Sequence, residues 1–283
     1  MDFIERVMEL KKEKGILITA HRGTSGGNII NNTIPAFENA LHHKSDIMEL
    51  DAAMSEDGVF YCFHDGTEPV LLGSTVNIRK MESSYIDSLR MINPYMALTS
   101  ERVNKLEDVF EHLRGRCLIN VDRSYFYWKE ILSFIKKMNM ESYIVIKSVP
   151  NPEQLKILED MAPNLAYMPM IRKPEEAECI KNFKINYCMA ELMFQDEKDP
   201  IVSDEFIGKL KAEGILVWGS SLSIHDWFNN CGGKDDFHAI TKDPDEAWGW
   251  FVEKGFDIIQ TDWPMILREY LDKKLNIGNK ASA

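Results

Sequence analysis

Two histidines, an arginine and several carboxylates stand in this chain where they could act together. His21-Arg22-Gly23 follows the apolar run Leu17-Ile18-Thr19-Ala20, so a strand delivers two cationic side chains to a surface. In Asp46-Ile47-Met48-Glu49-Leu50-Asp51 the acids Glu49 and Asp51 are two residues apart, and on a strand both point to one face. A second apolar run, Val59-Phe60-Tyr61-Cys62-Phe63, ends in His64. In Leu118-Ile119-Asn120-Val121-Asp122 the same alternation puts Asn120 and Asp122 on one face, with Ser124 next in register. Three carboxylates converging, Glu49, Asp51 and Asp122, would repel one another unless a divalent cation neutralised them, and such an oxygen shell suits Mg²⁺ or Ca²⁺. With two imidazoles and Arg22 beside it, the pattern points to metal-assisted chemistry on an anionic substrate.

The elements that must position these groups alternate in type. Phe3, Ile4, Val7, Met8 and Leu10 recur at helical spacing up to Gly15, which predicts an amphipathic helix over 2–14 covering one end of the fold. Strands are expected at 16–20, 46–52, 117–122, 143–147, 165–169, 186–190, 215–218 and 256–260. Helices are expected at 33–42, 105–114 (capped by Asn104), 126–138, 151–161, 173–182, 203–213 and 244–254. Eight strand and helix units in one chain predict an α/β fold, a (β/α)8 TIM barrel forming a single domain over 1–283. The barrel is irregular. The run at Val59 begins only about eight residues after Asp51, whereas a parallel crossover needs about a dozen or more. Residues 52–55 and 59–63 are therefore expected to pair as a β-hairpin around Glu56-Asp57-Gly58, returning His64 beside Glu49 and Asp51. Residues 65–103 form a long capping insertion, with a helical patch at 85–92, and a loop of that length usually has a function. Segment 223–242, with Trp227, reads as a second lip. In a barrel the active site lies where strands end, and His21, Arg22, Glu49, Asp51 and Asp122 all fall there.

Composition narrows the partners. With 283 residues, 45% of them hydrophobic, the chain can bury one large core. A net charge of -12 argues against nucleic acid or an anionic membrane surface as main partner. No stretch approaches the ~18 to 20 apolar residues of a membrane span, so no stable membrane insertion is expected. The five cysteines, Cys62, Cys117, Cys179, Cys188 and Cys231, lack CxxC spacing and read as free thiols in a cytoplasmic protein. The oligomeric state is not legible.

The chain resembles the glycerophosphodiester phosphodiesterases. The resemblance runs through Ala20-His21-Arg22-Gly23, Asn32-Thr33-Ile34-Pro35-Ala36-Phe37, Glu49-Leu50-Asp51, Glu56-Asp57-Gly58, the run from Val59 to His64-Asp65, Asn120-Val121-Asp122, Val217-Trp218 and Gly255 to Pro264, in the family's order. It implies a barrel hydrolase with catalytic histidines at His21 and His64, a divalent metal on Glu49, Asp51 and Asp122, and Arg22 gripping a phosphate oxygen. The implied reaction releases glycerol 3-phosphate and an alcohol from a small phosphodiester, one imidazole acting as base and the other as acid.

Several positions depart from the family pattern. Asn31 stands where the family has Glu, and Asp122 where it has Glu. Ser124 replaces a lysine expected beside the phosphate, and Trp218-Gly219-Ser220-Ser221 replaces Trp-Thr-Val-Asn. Lys147, at the end of the 143–147 strand, is expected to supply the missing charge, with Ser124 beside the substrate and Trp218 as an aromatic wall. Each group has a plainer alternative. The histidines could bond backbone, Arg22 could be a structural partner of a carboxylate, Arg123 could pair with Asp122 at the surface, and Trp218 could be core. Two rival functions remain in view: a phospholipase D-like lipid phosphodiesterase, which calls for an apolar rim, and a catalytically weakened phosphodiester-binding protein.

Overall fold

The computed structural model describes residues 1–223 and 229–277, so Trp227 and the 224–228 part of the expected second lip lie outside the described residues. Ten strands appear in chain order: β1 Leu17–Ala20, β2 Ile47–Met54, β3 Phe60–Cys62, β4 Leu118–Asp122, β5 Ile144–Ser148, β6 Ala166–Ile171, β7 Asn186–Tyr187, β8 Met189–Leu192, β9 Leu216–Ser220 and β10 Ile258–Thr261. Eight close into a parallel barrel, β1-β2-β4-β5-β6-β8-β9-β10, with β10 bonded back to β1. Helices fill the crossovers, as a (β/α)8 barrel requires. The two-residue β7 lies beside β6 just before β8.

Strand alternation divides the side chains into an interior and an outer layer. Ile18, Ala20, Met48, Leu50, Ile119, Val121, Ile146 and Ile259 face out and meet the helices in the large core. Leu17, Ile47, Leu118, Val145, Met168, Met189, Trp218 and Ile258 face in and fill the lower barrel. Phe3 and Val7 of helix Phe3–Lys14 plug that lower end, as their spacing predicted. Each such burial is worth about 1.5–3 kcal/mol. The stopper is apolar, so the polar groups higher up the same strands gather at the other end.

The hairpin forms as expected, with Ala52 opposite Cys62 and Met54 opposite Phe60. The long insertion packs a small core of its own against it, in which Tyr61, Phe63, Ile78, Met81, Ile86 and Met91 are buried. Four expectations shift in detail. The helical patch is Ser83–Ser88 rather than 85–92, because Met91 and Ile92 pair with 97–101 instead: Met91 N–H donates to Glu101 O and Thr99 N–H to Met91 O. Asn104 does not cap Leu106–Leu113; its Oδ1 accepts from Ile34 N at 2.7 Å and so caps helix Ile34–His42. The 186–190 strand is split at Cys188 into β7 and β8. The last crossover helix begins at Trp248, since Asp243 Oδ1 accepts from Asp245 N and turns the chain at Pro244.

Candidate active site at the barrel mouth

The mouth is built from the chain's sharpest turns. Arg22, Asn32 and Arg123 take left-handed φ of 55°, 56° and 54°, a conformation that costs a residue with a Cβ of order 1 kcal/mol. Gly23 must be glycine, because a Cβ there would lie 2.7 Å from the Ala36 backbone. That approach lets Thr24 N–H donate to Ala36 O and seats the turn after β1 on helix Ile34–His42. The kinked turn aims Arg22 at the neighbouring strand β2: its N–H donates to Glu49 Oε2 at 2.9 Å, and its Nε lies 2.9 Å from Asp51 Oδ2, off the line of the N–H.

Glu49, Asp51 and Asp122 converge. One oxygen from each lies within 4.8 Å of the others, and β2 and β4 bring Asp51 and Asp122 opposite one another in register. Asn32 fixes Asp51, donating from Nδ2 at 2.8 Å while its Oδ1 accepts from Asp51 N. Lys147 Nζ reaches Asp122 Oδ2 at 2.9 Å and Glu191 Oε2 at 3.3 Å. The Arg123 backbone N–H donates to Asp122 Oδ1 at 2.6 Å, but its guanidinium does not pair with Asp122; it turns to Asp65, which Arg79 also holds.

The electrostatics follow from burial and this pairing. Burial, then the neighbouring Asp51 charge, pushes Glu49 up to about 7. Asp122 is half-buried, yet Lys147 holds it below the ordinary carboxylate range against the loss of solvent. Lys147 is raised: Asp122 and Glu191 outweigh the burial that opposes its charge. The two histidines move apart. His21 is raised despite burial, because Asp262 Oδ1 takes its Nδ1 at 2.9 Å and Glu49 lies near. His64 is lowered by burial, with Arg22 and Arg123 adding to the effect against Asp51. Its Nδ1 has no hydrogen-bond partner among the described residues.

The oxygen donors fit a hard divalent cation. Among the described residues, the four acids Glu49, Asp51, Asp122 and Glu191 form ion pairs only with Arg22 and Lys147. Burial and then the acidic neighbours drive Glu49 upward, and such an ion would offset both by favouring the charged form.

His21, Arg22, His64, Asp122 and Lys147 line one cavity of about 830 Å³, with Arg123, Tyr125, Arg172 and Glu191. A second cavity, about 660 Å³, meets it at His21 and Arg22 and is walled by Asp262, Trp263, Met265 and Ile266. Two expected site residues are not brought there. Trp218 is fully buried in the apolar plug, because its place on β9 is in line with Leu216 rather than with the mouth. Ser124 is also fully buried and its hydroxyl donates to Val121 O, closing the turn after β4. Sequence reasoning missed Asn32, Glu191 and Asp262 as site members. Asn32 and Asp262 stood inside quoted motifs, but only the inward phase of β8, with Glu191 two after the apolar Met189, could have marked Glu191.

A closed parallel barrel with acids and histidines at the carboxyl ends of its strands is the layout of a barrel hydrolase. In sequence and in fold the chain resembles the glycerophosphodiester phosphodiesterases. It is 29% identical over 157 residues to a glycerophosphodiester phosphodiesterase of Caldanaerobacter subterraneus, an alignment covering 53% of this chain and 64% of that relative. A glycerophosphoryl diester phosphodiesterase of Parabacteroides distasonis superposes with a TM-score of 0.78 at 20% identity, over 97% of this chain and 93% of that one. An Oleispira antarctica phosphodiesterase solved with sn-glycerol-3-phosphate superposes with a TM-score of 0.64 at 16% identity, over 90% and 96% of the two chains. Residues 167–271 match the family model DUF4996, described as a domain of unknown function.

Proposed function

We propose that the protein hydrolyses glycerophosphodiesters to glycerol 3-phosphate and an alcohol, with a divalent cation, Mg²⁺ or Ca²⁺, held by Glu49, Asp51 and Asp122. The observation that carries this is the convergence of the acid trio behind a cavity that Asp122 lines together with His21 and His64. The cation would supply positive charge to the phosphoryl oxygens. Arg22 and Lys147 add fixed charge beside it, Lys147 taking the place of the absent lysine at Ser124. His64, lowered and free at Nδ1 among the described residues, is the base: it takes the proton from the attacking oxygen, that of water or of the neighbouring glycerol hydroxyl, as the new P–O bond forms; on the second route the cyclic phosphate is then opened by water, with the two imidazoles exchanging roles, to give glycerol 3-phosphate. His21, raised and held by Asp262, is the acid: it gives its proton to the alcohol oxygen as the old P–O bond breaks. The 830 Å³ cavity takes the glycerol phosphate arm, and the cavity beside Trp263 takes the alcohol.

The test is turnover of glycerophosphocholine and of a chromogenic phosphodiester against pH, with and without chelator. Expected are loss of activity on chelation, recovery with Mg²⁺ or Ca²⁺, and a bell-shaped kcat/KM profile whose acidic limb lies below 6.5 and alkaline limb above it, following the two directions of shift. Full activity under chelation removes the metal, and tight phosphodiester binding without turnover would make the protein a receptor. A second reading, hydrolysis of a lipid phosphodiester, is favoured by one observation: Tyr85, Tyr95 and Met96 on the insertion are 50%, 75% and 72% exposed. Cleavage of a lysophospholipid in vesicles in preference to glycerophosphocholine would select it. Among the described residues no helix is long and apolar enough to cross a membrane.

A further inference from the structure

Asp236 lies outside every motif of the family resemblance, and no step of the proposed reaction uses it. It opens helix Asp236–Thr241, is 2% exposed, and its carboxylate is surrounded by donors. Oδ1 accepts from Ser221 Oγ at 2.6 Å, from Trp248 Nε1 at 2.9 Å and from Thr261 Oγ1 at 2.9 Å. Oδ2 accepts from Asp262 N at 2.9 Å and shares the Thr261 hydroxyl at 2.9 Å. Thr261 Oγ1 in turn accepts from Trp263 N at 2.9 Å. One buried carboxylate thus holds three consecutive residues at the end of β10 and just past it, and the middle one carries the oxygen that bonds His21 Nδ1.

A side chain needed only to anchor its own helix would not require this. Asp235 already caps that helix through His238 N, and the contacts of Asp236 run across to β9 and β10. Asp262 is itself 44% exposed at its side chain, and among the described residues that side chain bonds only His21. Left to itself, such a carboxylate swings through several rotamers. Only its backbone can be fixed, and Asp236 is what fixes it.

We propose that Asp236 is a positioning residue for His21: by clamping the Thr261-Asp262-Trp263 backbone it holds the Asp262 carboxylate against Nδ1, so that the imidazole keeps its proton there and turns Nε2 to the substrate. The inference rests on the hydrolase reading in naming a reaction, but the orientation of His21 is measurable without one. A carboxylate that orients and fixes the tautomer of an imidazole acts by geometry, and small displacements at a reacting group cost roughly 10²-fold in rate.

The experiment compares Asp236→Asn, Asp262→Asn and the double variant. An amide at 236 keeps the size of the side chain but has one acceptor oxygen and no charge, so it cannot accept from both Trp248 Nε1 and Asp262 N, and its hold on the Thr261-Asp262 backbone weakens. Expected is a fall in kcat on glycerophosphocholine of roughly 10- to 100-fold with KM little changed, and no further fall when Asp236→Asn is added to Asp262→Asn, since both act through one contact. The ¹⁵N shifts of the neutral His21 ring should show loss of the Nδ1–H tautomer in Asp236→Asn. Trp248→Phe, which removes a different donor from the same carboxylate, should lower the melting temperature and leave kcat in place. Equal costs of Asp236→Asn with and without Asp262, or an unchanged tautomer, would overturn the proposal. Should Asp236→Asn not fold, Thr261→Val cuts one of the two links from Asp236 to this segment, and an unchanged His21 tautomer there is equally decisive. If the wild type shows no turnover, the hydrolase reading fails while the tautomer measurement still decides this one.

Discussion

The two halves of the barrel contribute differently to the mouth. The first, β1 to β4 with the hairpin, carries His21, Arg22, Glu49, Asp51, His64 and Asp122: the histidines and all three converging acids. The second, β5 to β10 with the loops and helices at their carboxyl ends, carries Lys147 and Asp262, which pair with Asp122 and His21, and behind them Glu191 and Asp236, which hold that lysine and the Asp262 backbone. Taken alone, the first half would be an overloaded acidic patch. Among the described residues its only ion pair with the trio is that of Arg22, since the Arg123 guanidinium pairs with Asp65. The groups proposed to react come from one half, and the charges and contacts that let them coexist come largely from the other. The family model of unknown function covers 167–271, within the second half, whereas the motifs carrying the phosphodiesterase resemblance are densest in the first.

If that division is right, damage to the first half should cost most. Asp51→Ala removes a central ligand of the trio and the anchor of Arg22 and Asn32, and kcat/KM should fall about 10³-fold or more, since each tenfold is about 1.36 kcal/mol and a metal site supplies several. Metal titration by calorimetry should lose its tight phase in the same variant. Activity within tenfold of wild type would mean that the trio is not the catalytic centre. Lys147→Met, in the second half, should cost less, roughly 10- to 100-fold in kcat/KM, the usual cost of a group that supports a site from behind. Without metal it should also cost stability, because Asp122 and Glu191 lose their shared partner, and a broken buried pair costs about 3–5 kcal/mol. Unchanged turnover on phosphodiesters would remove Lys147 from the reading.

The same division explains what the sequence made legible. The barrel could be read because eight strands alternate with helices, and the hairpin because too few residues separate Asp51 from Val59 for a crossover. His21, Glu49, Asp51, His64 and Asp122 could be read because each ends an apolar run, so alternation alone gives its face. Trp218 misled: alternation places it inward, but inward and low on a strand is the plug, while inward and high is the mouth, and only the β8–β9–β10 stagger decides which. Ser124 misled because a left-handed Arg123 turns the chain before it. Asp236 carried no local signal, since its partners are 12 to 26 residues away through space-filling contacts that no periodicity encodes.

A smaller effect separates the halves by pH. Glu49 is pushed up from 4.5 to about 7 by burial and by Asp51, both first-half causes, while His21 and Lys147 pull it down. In the metal-free protein the folded state then keeps a proton that the unfolded state releases, so stability should fall as pH rises from 4.5 to about 7. Melting temperatures across that window should show the slope. Glu49→Gln should flatten it, and saturating Mg²⁺ should shrink it by favouring the ionised form. A flat profile in the metal-free wild type would mean that the trio is already neutralised by the protein's own cations, and the acidic excess of the first half would be fictional.

The mildest expectation concerns the edge of the second half. Trp263 is 51% exposed and walls the cavity that meets the other at His21, beside Met265 and Ile266. An indole face in that position gives an alcohol arm a surface to lie on, and a cationic alcohol gains about 0.5–1 kcal/mol more from it. Trp263→Ala should therefore raise KM for glycerophosphocholine by roughly 2- to 5-fold, leave kcat nearly unchanged, and have less effect with an uncharged alcohol such as glycerol. A fall in kcat instead would show that Trp263 acts on Asp262 and His21, and the wall would belong to the machinery that orients the imidazole rather than to the recognition of the leaving alcohol.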